Sequence, residues 1–189
     1  MARIPRMTPA ELTPAAHDVY DAITGGRRAQ GPQHFPLVDD EGTLNGPFNA
    51  FLLAPGAGAA LQELGAAIRY RTSLTARQRE IAILLVAARW QSAFERASHE
   101  AVGRAAGLSD PEVRALHAQD ASAFDGDDGV CARTVLALLD GDLDDDAWHA
   151  AANALGTPKV FELTTLVGYY GTLALQLRVF RVDHSVNQE

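Results

Sequence analysis

The clearest hydrophobic pattern in the chain runs from Ala76 to Trp90. Ile81, Leu84, Leu85 and Ala88 recur at helical spacing, and Ile83 and Val86 widen the stripe. A helix this apolar is expected at the centre of a fold. Thr75-Ala-Arg-Gln78 in front of it has the form of a capping box. A second helix is predicted over residues 92–106, opened by Ser92 and stopped by Gly107. Ser109-Asp-Pro-Glu112 is another capping box and starts a short helix to about Ala118. Residues 119–129 read as a loop. Further helices are predicted over 130–139, 144–155 and 159–180, the last carrying Val160, Leu163, Leu166, Val167 and Tyr170 on one side.

Upstream, Leu61, Leu64, Ala67 and Ile68 give residues 57–71 a helical period. A short helix is expected from Pro47, stopped by Pro55-Gly56. Residues 1–12 read as an arm with one turn at Thr8-Pro9-Ala10-Glu11, after which a first helix runs to about Thr24, ended by Gly25-Gly26. Residues 25–46 are rich in Gly, Pro and Asp and keep no period; a loop of this length is usually functional or mobile. No stretch alternates long enough to be a strand. The expectation is an all-α, single-domain bundle of about eight helices. Residues 1–45 form an arm, a helix and the irregular loop, 46–180 the helical core and 181–189 a tail.

Composition narrows the function classes. With 189 residues, 47% of them hydrophobic, the chain can bury one sizeable core. The net charge of -8 argues against non-specific nucleic-acid binding and a polybasic membrane patch. No apolar run is long enough for a membrane span, and MARIPRMTPAEL has no hydrophobic signal core. The single cysteine, Cys131, can form neither an internal disulfide nor a redox pair, which suits the cytoplasm. A buried structural thiol is the expectation for it.

The candidate chemistry lies where the two best helices meet. Ser92, Glu95 and His99 are spaced by three and four residues, so they share one helix face. Glu80 lies on the preceding helix, and an antiparallel pair with a tight break would bring it level with His99. A carboxylate beside an imidazole orients it, and a second one at Glu95 adds another proton-transfer group. Structural explanations compete: Ser92-x-x-Glu95 is itself a capping box, Glu95 and His99 can be an exposed pair, and Glu80 can pair with Arg77 or Arg79. A metal site is disfavoured, since there is no HExxH and no second histidine nearby. His17, His34 and His149 are expected in solvent. The acidic run 142–146 reads as a helix start rather than a calcium loop.

The chain resembles the carboxymuconolactone decarboxylase family, which includes the alkylhydroperoxidase D-like proteins. The matching pieces stand in order: R-I-P at Arg3–Pro5, G-P-F-N at Gly46–Asn49, R-x-R-E-I-A-I-L at Arg77–Leu84, the Glu95…His99 pair, A-G-L-S-D at Ala106–Asp110 and G-Y-Y at Gly168–Tyr170. The resemblance implies an all-helical protein assembled into homo-trimers or hexamers. The family's peroxidase branch carries Glu-x11-Cys-x2-Cys-x3-His, and here Ser92 and Glu95 stand at the two cysteine positions. Neither can form a sulfenic acid or a disulfide, so thiol peroxidase activity is not expected. The resemblance implies instead a lyase or isomerase without cofactor or metal, acting on a small carboxylated or lactone compound. Glu80, His99, Glu95 and Ser92 would be catalytic, with Phe48, Asn49 and Tyr169 lining the substrate site. A non-catalytic small-molecule-binding protein is the alternative, and a peroxidase a more distant one.

Overall fold

The computed structural model describes residues 2–30 and 35–182. His34 and residues 183–189, most of the expected tail, lie outside the described residues. The described part is helical, with nine α-helices in the order α1 Pro14–Thr24, α2 Pro47–Phe51, α3 Pro55–Tyr70, α4 Ala76–Trp90, α5 Ala93–Ala105, α6 Asp110–His117, α7 Gly126–Asp140, α8 Asp145–Leu155 and α9 Thr157–Phe180. Short 3-10 turns occur at Pro9–Glu11, Arg27–Gln30 and Ala121–Ala123. The all-α expectation holds. The described residues form two compact units, one drawn from those within 1–70 and 175–182, the other of 71–174.

In the first unit α1 packs on α3 through Ala16, Val19 and Ile23, and α2 contributes Phe48 and Phe51 to the buried set. Gly58 of α3 passes so close to the Phe51 carbonyl that a side chain there would collide with the backbone. Thr8 and Glu11 close a 3-10 turn in the arm, and α1 follows with Thr13 as cap and Pro14 in its first turn, where proline fits. Two expectations are corrected here. Pro55 opens α3 instead of stopping the helix before it, and α2 already ends at Phe51. The loop before α2 also contains order. Val38 and Leu44 form an antiparallel bridge around a turn in which Asp39 Oδ1 accepts from the N–H groups of Glu41 (3.0 Å) and Thr43 (2.8 Å), with Gly42 at φ 79°.

The second unit is built around α4. Nine of its residues, Gln78 and Glu80 to Ala87, are buried, so this helix is enclosed on nearly every side. Helices α5, α6 and α7 all pack against it. Thr75 caps it, with both arms of the box formed: Gln78 N to Thr75 Oγ1 at 3.0 Å and Thr75 N to Gln78 Oε1 at 3.2 Å. Arg77 on its first turn braces the neighbours. Its Nε donates to Asp128 of α7 (2.6 Å), Nη1 to the Gly107 carbonyl (2.5 Å) and Nη2 to Glu112 of α6. Helix α7 begins at Gly126, earlier than the pattern predicts. Asp127 and Asp128 belong to its first turn, where negative charge meets the positive end of the helix dipole.

Candidate functional site

Helix α4 ends at Trp90, and Gln91 takes a left-handed conformation (φ 53°) that turns the chain back on itself. Ser92 then caps α5: its Oγ accepts from Glu95 N at 3.5 Å. The reciprocal half of a capping box would use the Ser92 N–H, but that group bonds Ala87 O at 2.9 Å. The Glu95 side chain points instead along its own helix, where Oε2 lies 3.4 Å from His99 Nε2.

The other ring nitrogen of His99, Nδ1, is 2.7 Å from Glu80 Oε2 on α4. One imidazole thus sits between two carboxylates. Glu80 is 2%, Glu95 3% and His99 7% exposed, so this is no surface charge pair. The bond to Glu80 fixes the tautomer in which Nδ1 carries the hydrogen and donates it, leaving Nε2 to face Glu95. Arg79 approaches the second oxygen of Glu80, Nε to Oε1 at 3.6 Å, and balances one of the two carboxylates. Close approach of α5 to α4 depends on Gly103, where a methyl group would come within 2.9 Å of Leu108 Cδ1 and 3.7 Å of Glu80 Cβ.

The aromatic neighbour comes from α9. The Tyr170 ring meets the His99 ring edge to face, centroids 5.4 Å apart, and Tyr169 stands at right angles to Tyr170 at 5.3 Å. The sequence points to Tyr169 as a lining residue, whereas in this arrangement Tyr170 is the tyrosine that touches the imidazole. Arg79 and Tyr170 were both visible in the chain, one in the R-x-R-E motif and one in G-Y-Y. Their roles could not be read without knowing how α4 and α9 are rotated.

Phe48 and Asn49 belong to the first unit. Asn49 Nδ2 donates to the Pro5 carbonyl at 2.8 Å and its Oδ1 accepts from Met7 N at 3.2 Å, so this amide holds the N-terminal arm. Phe48 is buried, packs edge-on to Phe51 and lies under the Arg28 guanidinium at 4.8 Å. Cys131 is fully buried in α7, and burial pushes its thiol up to about 12. Among the described residues no group of three or more His, Cys, Asp and Glu side chains is placed to hold a metal ion. No described helix is long and apolar enough to cross a membrane.

Comparison with known proteins agrees with this architecture. The model of the carboxymuconolactone decarboxylase family matches residues 55–137, a span that includes Glu80, Ser92, Glu95 and His99. A crystal structure of a protein of unknown function from Agrobacterium tumefaciens, described as a candidate antioxidant defence protein AhpD, shares the fold with a TM-score of 0.66. The two are 19% identical, and the likeness covers 74% of this chain and 97% of that one. No curated protein sequence matches the chain.

Proposed function

For a chain whose residues 55–137 match the carboxymuconolactone decarboxylase family, we propose an acid–base lyase or isomerase acting on a small carboxylated or lactone compound. The observation that carries this reading is the buried Glu80–His99–Glu95 row, with the Nδ1 contact at 2.7 Å and the Nε2 contact at 3.4 Å. His99 Nε2 is the atom that moves the proton. Glu80 orients the ring and compensates the imidazolium formed when Nε2 takes a proton. Glu95 is the second proton carrier, and the Ser92 hydroxyl is a hydrogen-bond donor toward substrate. In an isomerisation, Nε2 removes a proton next to a carbonyl and returns it at another carbon of the same enolate. In a decarboxylation, the bond to the carboxylate breaks, carbon dioxide leaves, and the electron pair left on carbon takes the proton held between Nε2 and Glu95. Neither route changes an oxidation state through the protein, and neither requires a thiol.

A thiol peroxidase reading has little to stand on. Ser92 and Glu95 occupy the cysteine positions, and Cys131 is a buried thiol held almost entirely protonated at neutral pH. The function is tested by incubating a panel of small lactones and keto acids with the protein in D2O and following deuterium incorporation and carbon dioxide release. Turnover of any member should fall by about 100-fold or more in both His99→Gln and Glu80→Gln. Full turnover in either variant would overturn the assignment of the base. Saturable binding of panel members without exchange or release would establish the binding-protein reading instead.

A further inference from the structure

The first unit contains a recess of about 500 Å³ between α1, α3 and the 3-10 turn Arg27–Gln30. That volume is in the range of small-molecule pockets. All its lining residues lie between Ala15 and Tyr70, so it shares none with the Glu80–His99 row. Part of its wall is apolar and built from small side chains, including Val19, Ala22 and Ala66. Two polar features on this wall are left without a structural task.

The first is Gln62. Its side chain lines the recess and is 9% exposed, and its Oε1 has no hydrogen-bond partner among the described residues. A buried amide oxygen without a donor is destabilising, and folded proteins rarely keep one without a reason. A leucine here would remove that cost and fill the same space. The second is Arg27, whose guanidinium stacks over the Tyr70 ring at 4.6 Å from its centroid. Stacking uses the face of the guanidinium and leaves its in-plane N–H groups free to bind an anion. No described carboxylate bonds it.

We propose that this recess is a binding site for a compact ring-sized carboxylate that also carries an O–H or N–H donor. The carboxylate pairs with the in-plane edge of Arg27, the ring lies on the Val19–Ala22–Ala66 wall beside Tyr70, and the donor reaches the Gln62 amide oxygen. Asp18, Glu63 and Arg28 also border the recess, so its rim carries both signs of charge.

The test titrates the full chain with 4-hydroxybenzoate, following amide shifts by NMR. Benzoate lacks the donor and 4-hydroxybenzamide lacks the charge. Saturable shifts at Val19, Ala22, Ala66 and Tyr70 are expected with 4-hydroxybenzoate, and binding about tenfold weaker for either control probe, the worth of one hydrogen bond or ion pair. Arg27→Gln, an exposed position, should weaken 4-hydroxybenzoate to the level of the uncharged probe. Gln62→Leu should weaken it to the level of benzoate while raising the unfolding temperature. A residue kept only for packing would not move binding and stability in opposite directions. Shifts that stay linear to about 20 mM, shifts confined to residues 71–174, or equal affinity in the two variants and the parent would each overturn the proposal.

Discussion

Removing the Glu112 charge tests how α4 is held in place. Glu112 receives Arg77 Nη2 while also closing the α6 capping box, where Oε2 accepts from Ser109 N (2.8 Å) and Oγ (2.7 Å). The Arg77 hydrogen bond is the main cause that lowers its pKa from 4.5 to about 2. One pKa unit corresponds to about 1.4 kcal/mol, so the shift sets a ceiling of about 3 kcal/mol. The two side chains are 27% and 21% exposed, and solvent screening reduces the expected contribution to about 1–2 kcal/mol. The sign follows from proton uptake. Between the unfolded value of 4.5 and the folded value of about 2, the unfolded chain binds the proton and the folded chain does not. Stability from this group is therefore complete above 4.5 and is lost as the pH falls toward 2. Urea unfolding of the parent and Glu112→Gln should show a gap that is constant from neutrality to about pH 5 and shrinks by about 1–2 kcal/mol below it. In thermal melts that is about 2–8 °C for a chain of this size. A gap that stays flat to pH 2.5, or widens on acidification, would refute the reasoning, where pH 2.5 is roughly the lowest practical point above the folded pKa.

Other residues give independent tests. Cys131, with its thiol at about 12, should resist iodoacetamide at about pH 8 in the folded protein and react only in denaturant; rapid native labelling would show that the thiol is not enclosed. Gly103→Ala places a methyl 2.9 Å from Leu108 Cδ1 and 3.4 Å from Leu84 Cδ1. Overpacking there should outweigh the gain in helix propensity and cost about 1–2 kcal/mol, measured by urea unfolding; unchanged or higher stability would mean that α5 has slack beside Glu80. Asn49→Leu removes the bonds to Pro5 and Met7 and should loosen the arm there, although Arg3 and Arg6 keep their bonds to Phe180 and Asp39. Trypsin cleavage at Arg3 and Arg6 is expected to accelerate well before global unfolding, and an unchanged cleavage rate would show that the arm is held elsewhere.

The helical half of this architecture was legible because local signals agreed with packing. Thr75 with Gln78 and Ser109 with Glu112 mark helix starts where the structure has them, and the apolar run from Ile81 to Ala87 is as enclosed as its composition implies. Proline is the least decisive local signal. Pro55 can end one helix or begin the next, and only the three-dimensional path decides which. The acidic start of α7 resembles a loop because Gly and Asp are poor helix formers, although Asp127 and Asp128 are favourable in a first turn. At the site, intrahelical spacing placed Ser92, Glu95 and His99 on one face, and the left-handed Gln91 supplied the reversal that brings Glu80 to them. Asn49 shows the limit of reading by motif. Its G-P-F-N context suggests a pocket residue, while its amide is committed on both sides to the arm that carries R-I-P.

The charge balance at His99 explains why such a cluster is suited to proton transfer. Arg79 contributes one positive charge and Glu80 and Glu95 two negative ones, in a place where none of the three side chains is more than 17% exposed. An uncompensated buried charge is far more costly than a paired one. The imidazole is held at both ring nitrogens, Nδ1 at 2.7 Å from Glu80 and Nε2 at 3.4 Å from Glu95, so its orientation is fixed from two helices at once. A ring fixed in this way keeps Nε2 beside a second carboxylate, which is the geometry the proposed proton transfer requires. Replacing Arg79 by Gln removes the balancing cation without touching Nε2 or Glu95. Urea unfolding of that variant should show a loss of about 1–3 kcal/mol, and an unchanged stability would show that Arg79 is outside this balance.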